Sequence, residues 1–436
     1  MTTRLRLLAS SLLAGALCAP VALSAGPLLP PAGVPSSTMK PLDQIDPAVI
    51  IESLPFVITE PGRYALRSSL DCPPGVSAVV VLASDVVIDG GGFSLNGAGA
   101  GVHGVFVEGS QSGVHIKDVI IEAFTGNGVH APDAEVACRS VVCRGNTGSG
   151  FVLNVATLED CDGLDNGGDG CDINASRPGR GHVTLIKGCD FSGNVGTGLR
   201  VADGDGTDCD DVRANDNGGD GFDLQGKSGG TRTGHVTLMK RCDARGNIGV
   251  GLRVAETDRL ACDDSTFSGN EQEGARVFGR TGHVTLMKRC DVSNNTGAGL
   301  FIVDADRLVC EDSSFMGQGG DGVHVQGRNG HVTLMKRCDS SNNAGAGLRL
   351  SRGNGDCDDS IFSGNGQQGV VALLGEGPVS GPPVQESLSL AGCTLESNAG
   401  RGLDVSPGGT GASLALRVRS TNIGSSGQDG VVVECP

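Results

Sequence analysis

Histidine is the side chain that most readily gains and loses a proton near neutral pH, and this chain repeats it at one position. His182, His235, His283 and His331 each stand second in Gly-His-Val-Thr-Leu, in copies that start 53, 48 and 48 residues apart. Asp258-Arg259 and Asp306-Arg307 occupy the segments between copies. Aspartates stacked beside the imidazoles would make a His/Asp stripe that titrates near neutrality or holds soft cations weakly; arginines stacked there would not. General acid–base catalysis needs one base in one place. Four equivalent histidines therefore read as a repeated surface ladder at a turn edge, and no residue is singled out as catalytic.

The other chemistry-bearing residues are periodic too. Asp210-Asp211, Asp263-Asp264 and Asp358-Asp359, with Glu311-Asp312 as a fourth copy, have the composition of a glycosidase carboxylate pair. They recur at one repeat position, as do Lys240-Arg241, Lys288-Arg289 and Lys336-Arg337. Gly167-Gly168-Asp169-Gly170-Cys171-Asp172 and Gly218-Gly219-Asp220-Gly221-Phe222-Asp223 resemble calcium-binding nonapeptides. Those hold the ion between successive nine-residue turns, whereas these copies lie 51 residues apart. No resident metal or cofactor is expected beyond weak calcium binding. The chain has no Trp, and Tyr64 is its only Tyr, which removes the usual platforms for sugar stacking.

Sixteen cysteines form the most regular polar feature. Cys189, Cys242, Cys290 and Cys338 share one repeat position, and Cys209, Cys262, Cys310 and Cys357 share another. Both alternate with apolar residues, so both are expected to face inward. No C-x-x-C spacing supports a zinc or redox site. The thiols read as structural, either as disulfides such as Cys242–Cys262 or as buried free groups, with export from the cytoplasm tilting the balance toward disulfides.

A finer repeat must position all of these: Asn, three residues, Gly, then usually an apolar residue. It runs from Asn146/Gly150 through Asn166/Gly170, Asn194/Gly198, Asn217/Gly221, Asn247/Gly251, Asn270/Gly274 and Asn295/Gly299 to Asn343/Gly347, Asn365/Gly369 and Asn398/Gly402, with Gln318/Gly322 filling one gap. Gly128 and Gly430 extend the register, giving 302 residues in twelve steps, or about 25 per coil. Short period-2 pieces such as Val236/Leu238 and Leu252/Val254 read as strands, and no stretch carries a helical apolar period. Coils of this length with three short strands suit a three-sided parallel β-helix. The recurring Asn is expected to take the left-handed backbone of a bend and to stack into an amide ladder.

Asp85-Val86-Val87-Ile88-Asp89-Gly90-Gly91-Gly92-Phe93-Ser94-Leu95-Asn96-Gly97 resembles the opening coil of right-handed parallel β-helix repeat proteins of the pectin-lyase-like superfamily. Ser53-Leu54-Pro55-Phe56 through Pro61-Gly62-Arg63-Tyr64-Ala65-Leu66 resembles the N-terminal cap of secreted bacterial members. The resemblance implies an all-β, right-handed parallel β-helix solenoid of about 13 coils over residues 85–436, preceded by a linker and cap over 26–84. It implies no single activity, because the superfamily holds lyases, hydrolases, epimerases and adhesins.

Arg4 and Arg6, the apolar run Leu7 to Leu17 and small residues through Ala25 have the order of a secretory signal peptide over residues 1–25. A secreted, periplasmic or cell-surface location is expected, without a membrane span. The formal charge of −17 opposes nucleic-acid binding. The readings converge on a non-catalytic scaffold that presents a repetitive polar face to polysaccharide or another cell-surface component. The alternative is a polysaccharide lyase or epimerase acting on acidic polysaccharide, a pectate-lyase-like carbohydrate-active enzyme.

Overall fold

Short strands separated by Gly- and Asn-rich bends bury their backbone groups only by stacking on the next coil. The computed structural model shows that stacking over residues 48–174, 183–226, 236–327, 330–374, 385–407, 413–424 and 430–433. Residues 1–47, which include the segment 1–25 expected to be a signal peptide, lie outside the described residues. The fold is a right-handed parallel β-solenoid with three faces. Face A includes Leu199–Gly204, Phe222–Gly226, Leu252–Ala255 and Ala275–Phe278, paired in sequence. Face B includes Gly206–Asp210, Val236–Lys240, Arg259–Asp263 and Val284–Lys288. Face C is narrower, with Asp243–Arg245, Thr266–Ser268 and Asp291–Ser293, and it thins to single bridges at Asp339, Ile361 and Thr394. Thirteen rungs of face A follow the glycines from Gly128 to Gly430, one per register glycine. Parallel pairing already begins at Val49↔Tyr64, upstream of the Asp85 coil.

Strand alternation sends every second side chain inward. On face A the inward column runs Val129, Phe151, Cys171, Leu199, Phe222, Leu252, Ala275, Leu300, Val323, Leu348 and Val370, all fully buried. Phe191, Phe267, Phe315 and Phe362 fill the same core from the face C side. The interior is one side chain deep from each wall, which is why small and medium aliphatic residues suffice.

The bend leading into face A carries the amide ladder. Asn146, Asn166, Asn194, Asn217, Asn247, Asn270, Asn295, Gln318, Asn343, Asn365 and Asn398 are all buried. From Asn146 to Asn295, both the backbone N–H and Nδ2 of each Asn donate to Oδ1 of the next, at 2.9–3.1 Å. Gln318 accepts both bonds from Asn295 through Oε1 at 2.9 and 3.1 Å, so the longer side chain continues the series. The left-handed backbone expected of these Asn belongs instead to the residue just before each one, for example Asp165 (φ 53°), Asp216 (φ 54°), Asn294 (φ 57°) and Asn342 (φ 58°). The ladder amide has to point into the core, and the preceding residue makes the turn that aims it there. The register glycine has a steric role: a Cβ on Gly251 would lie 2.6 Å from both the Asn270 amide nitrogen and the Gly274 carbonyl oxygen.

The two-coil period of 48 residues has an explanation at the corner between faces B and C. Asp211, Arg241, Asp264, Arg289, Asp312, Arg337 and Asp359 all have φ near +50° and succeed one another coil by coil. Arg289 reaches Asp264 at 2.5 Å and Asp263 at 2.6 Å, and Arg337 reaches Asp312 at 2.5 Å and Glu311 at 2.6 Å. The paired aspartates are therefore clamps for the arginine of the next coil. These pairs are about 40% exposed, so solvent screening keeps the contribution of each modest.

Sulfur follows the same alternation. The inward column of face B reads Cys209, Met239, Cys262, Met287, Cys310, Met335, Cys357. At the adjoining corner Cys242, Cys290 and Cys338 alternate with Ser265, Ser313 and Ser360, whose hydroxyl oxygens accept the cysteine N–H groups at 3.1 Å. All fourteen described cysteines are buried free thiols, so the disulfides favoured from sequence are not formed among them. Cys242 donates weakly to the Cys209 carbonyl at 3.5 Å, and Cys290 to the Cys262 carbonyl at 3.6 Å. Burial pushes the Cys290 and Cys338 thiols up to about 11, which keeps them protonated and unreactive.

Two measurements follow. Asn270→Ala strips Asn247 of the acceptor for two buried donors and should lower stability by roughly 2–4 kcal/mol, read as a shift of the denaturant midpoint. Glu271→Ala, on the exposed neighbour, should shift it by less than about 0.5 kcal/mol. Titration with a thiol reagent should find almost no reactive cysteine in the native protein and at least the fourteen described thiols after non-reducing denaturation; a near-zero denatured titre would mean disulfides instead.

Candidate functional site

The repeated histidines separate into two groups. His182 and His235 lie outside the described residues. His283 and His331 are 0% and 1% exposed, so the surface ladder expected from sequence is not formed at these two positions. Gly282 (φ 90°) and Gly330 (φ 84°) turn the following side chain inward. There Nδ1–H donates to the Thr257 or Ala305 carbonyl at 2.7 Å, and Nε2 accepts from the Thr285 or Thr333 hydroxyl at 2.9 Å. Asp306 does stack beside His283, since its N–H donates to the His283 carbonyl at 3.1 Å. With both ring nitrogens engaged inside the coil, these imidazoles hold the corner together.

The glycine-rich motifs that resemble calcium loops also have a structural task. Asp169 Oδ1 accepts the Thr197 N–H at 2.7 Å, and Asp220 Oδ1 accepts the Val250 N–H at 2.8 Å, each from the next coil. A third copy, Gly319-Gly320-Asp321-Gly322-Val323-His324, sits at the gap that Gln318 fills, and Asp321 Oδ1 accepts the Ala346 N–H at 2.7 Å. Each aspartate thus caps a backbone donor while its second oxygen remains free to meet a side chain on face A.

What it meets is the outward row of face A. Outward residues of face A stack in the order Asp172, Arg200, Asp223, Arg253, Arg276, Phe301, His324, Arg349. Each stands two residues after a register glycine, beside an inward residue that stays apolar. Arg200, Arg253 and Arg349 share one position of the two-coil unit, with Phe301 as its exception. Asp172 and Asp223 share the alternate position, where Arg276 and then His324 replace the carboxylate. That replacement is the signal in the sequence that marks the site, and reading only the recurring positions passes over it.

The first two modules pair carboxylates with arginines. Arg200 Nη1 lies 3.0 Å from Asp169, and Arg200 and Arg253 approach Asp223 at 3.8 and 4.0 Å. Asp223 is 5% exposed and also accepts from Gln225 Nε2 at 3.0 Å. Burial, reinforced by Asp169, raises the pKa of Asp172, and burial does the same for Asp220. Arg276 is held by Glu273 at 2.5 Å.

The third module replaces the second carboxylate with an imidazole. His324 Nδ1 lies 3.3 Å from Asp321 Oδ2, which also receives Arg349 Nε at 2.7 Å. Burial alone would raise the Asp321 pKa, but hydrogen bonds from His324, Arg349 and the Ala346 N–H hold the carboxyl far below the usual range. The permanent carboxylate fixes the proton on Nδ1 and leaves Nε2 as the basic nitrogen of His324. Arg349 also donates to Gln367 at 3.1 Å, and Phe301 meets the imidazole edge-on at 5.0 Å. A base, a cation beside it and an apolar ring on the neighbouring rung can together take a proton from carbon next to an anionic group.

The family model for the right handed beta helix region matches residues 103–259, 178–334 and 229–387. No curated protein matches the chain in sequence. Among solved structures, the mannuronan C-5 epimerase A-module of Azotobacter vinelandii is similar, at 15% identity and TM-score 0.38, over 82% of this chain and 85% of that one. A periplasmic alginate epimerase is similar at 13% identity and TM-score 0.35, over 83% and 78%. The catalytic domain of an α-1,3-glucanase in complex with nigerose is similar at 10% identity and TM-score 0.28, over 86% and 63%. At these identities the likeness concerns the fold and assigns no chemistry to this chain.

The buried histidines generate a pH prediction. Burial lowers the pKa of His283 and His331 below the ordinary 6.5. The unfolded chain then binds more protons than the folded one below that value, so the stabilisation is complete above about pH 6.5 and is lost as pH falls toward the depressed folded-state pKa. Denaturant midpoints should decline as pH falls below about 6.5, and the double variant His283→Gln, His331→Gln should decline less steeply there.

Proposed function

We propose that this chain, which belongs to the right-handed β-helix family, binds an acidic polysaccharide along face A and acts on it as an epimerase or lyase. The observation that carries this reading is the dyad of Asp321 and His324 beside Arg349, where His324 replaces the aspartate of the two earlier Gly-Gly-Asp-Gly copies. A scaffold that presents a repetitive face would have no need of that single imidazole. A polymer of uronic acid laid along the coils would meet Arg253, Arg276 and Arg349 on successive or nearby rungs. Arginine suits that role because its planar fork pairs with a carboxylate.

The chemistry follows from the same groups. His324 Nε2 removes the proton from the ring carbon that bears the carboxylate, becoming an imidazolium stabilised by Asp321. Arg349 stabilises the charge that moves onto the carboxylate oxygens. Return of a proton from water to the opposite face inverts the centre, while departure of the glycosidic oxygen from the adjacent carbon, taking the proton of the His324 imidazolium, cleaves the chain to an unsaturated sugar. Incubation with uronate-rich polysaccharides in deuterated water tests both outcomes, by nuclear magnetic resonance for deuterium at the inverted carbon and by ultraviolet absorbance for unsaturated ends. His324→Ala and Arg349→Ala should each reduce kcat/KM about 100-fold or more, while Lys288→Ala on face B should leave it unchanged. Absence of both deuterium incorporation and unsaturated products across the panel would sink the enzymatic reading.

A further inference from the structure

The row that carries His324 does not stop at its charged stretch. Toward the amino-terminal coils its outward residues become Val152, His130 and Phe106. His103, in the bend just before Phe106, joins them. The His103 and His130 rings stack with centroids 4.5 Å apart and planes within 7°. Phe106 lies 5.6 Å from His130 and 5.9 Å from His103. All three side chains are half-buried on the outer surface of the coil.

One residue sets the chemistry of this cluster. Asn127 accepts the Ser149 N–H through Oδ1 at 2.8 Å, so its amide nitrogen points the other way, to His130 Nδ1 at 2.8 Å. The backbone N–H of Asn127 donates to His103 Nδ1 at 3.0 Å. Both imidazoles thus accept at Nδ1, which places the single proton of each neutral ring on Nε2. A second proton would have to sit on a nitrogen that already faces a donor. Metal ligation through Nε2 would require moving its proton to that same nitrogen. The result is two parallel neutral rings beside a phenyl ring, each with one N–H donor on the edge away from Asn127.

The stacked rings cover one another's faces, so the cluster offers outward its apolar ring edges and two neutral N–H donors, which match the C–H groups and the rim of acceptor oxygens of a pyranose. We infer that Phe106, His103 and His130 form a remote saccharide-binding subsite for the polymer that His324 acts on. It rests on the reading of face A as a polysaccharide track. The subsite lies eight rungs from His324, about 38 Å along the coils at the strand spacing of about 4.8 Å. A chain long enough to span both would gain from the second attachment, whereas a short one would bind each end independently. The aromatic platforms that the scarcity of Tyr and absence of Trp seemed to deny would then come from Phe and neutral His.

The test titrates the full-length protein with a short uronic-acid oligosaccharide and follows the ring-proton resonances of His103 and His130, assigned by their loss in His103→Gln and His130→Gln. Both resonances should shift along one saturating curve, and Phe106→Leu should weaken that curve about fivefold. His324→Ala should leave it unchanged, because that residue belongs to the distant site. Resonances that stay fixed while the oligosaccharide binds or turns over elsewhere would overturn the subsite and leave the proposed activity standing. Shifts in the platform without turnover of any uronan would do the reverse. Zinc that shifts these rings where saccharide does not would show the tautomer argument to be mistaken and overturn the proposal.

Discussion

The buried amide ladder is the constraint on which the rest of the molecule depends. An unpaired donor inside the coil is costly, and each ladder Asn satisfies two donors of its predecessor. That geometry holds only if every coil returns its Asn to the same place, one strand spacing further on. Variation in coil length is therefore forced elsewhere, and the long connections from Gly226 to Val236 and from Leu374 to Gln385 join a face A strand to a face B strand. Because the bend opens directly into face A, that face inherits the tightest register in the protein. The outward row on it is aligned as a consequence.

The two-coil period is a second layer imposed on the first. Alternating Asp and Arg at the corner of faces B and C keep like charges from stacking on successive rungs at left-handed positions. Cys alternates with Met on face B and Ser with Cys at the corner, so the larger pair, Met with Cys, and the smaller pair, Cys with Ser, fall on alternate coils. Both patterns need two coils to complete, which makes 48 residues the visible repeat although about 25 residues build one turn. Titratable groups caught up in this layer, including His283 and His331, are engaged with backbone and threonine partners and serve the scaffold.

The proposed site lies on the outward row of face A. That position contributes nothing to the ladder and faces no corner, so a side chain there can depart from the two-coil pattern, as Arg276, Phe301 and His324 do. The Gly-Gly-Asp-Gly bends exploit that freedom. Their aspartates cap a backbone donor with one oxygen and reach the row with the other, which ties Arg200 and Arg349 to fixed positions. In the third copy the same device holds an imidazole. A structural cap placed beside a variable position is an economical route from a scaffold to a base, since the carboxylate that orients His324 is already required by the turn.

Much of the architecture was legible in the residues themselves. The Asn and Gly register marks every coil from Gly128 to Gly430, because a buried amide and a glycine in close contact with the next coil tolerate few alternatives. The inward direction of the cysteines was legible for the same reason, through strand alternation. Tertiary structure decided what local pattern cannot express: that the bend belongs to the residue before each Asn, that His283 and His331 turn inward, and that the thiols stay free. It also decided that Asp321, His324 and Arg349 meet, since Arg349 is one coil removed from the other two. Recurrence in a solenoid sequence reports the contacts that every coil must make to stack. The one residue that departs from those recurring positions, His324, leaves no recurrent trace, and only the register of one coil on the next brings it together with Arg349.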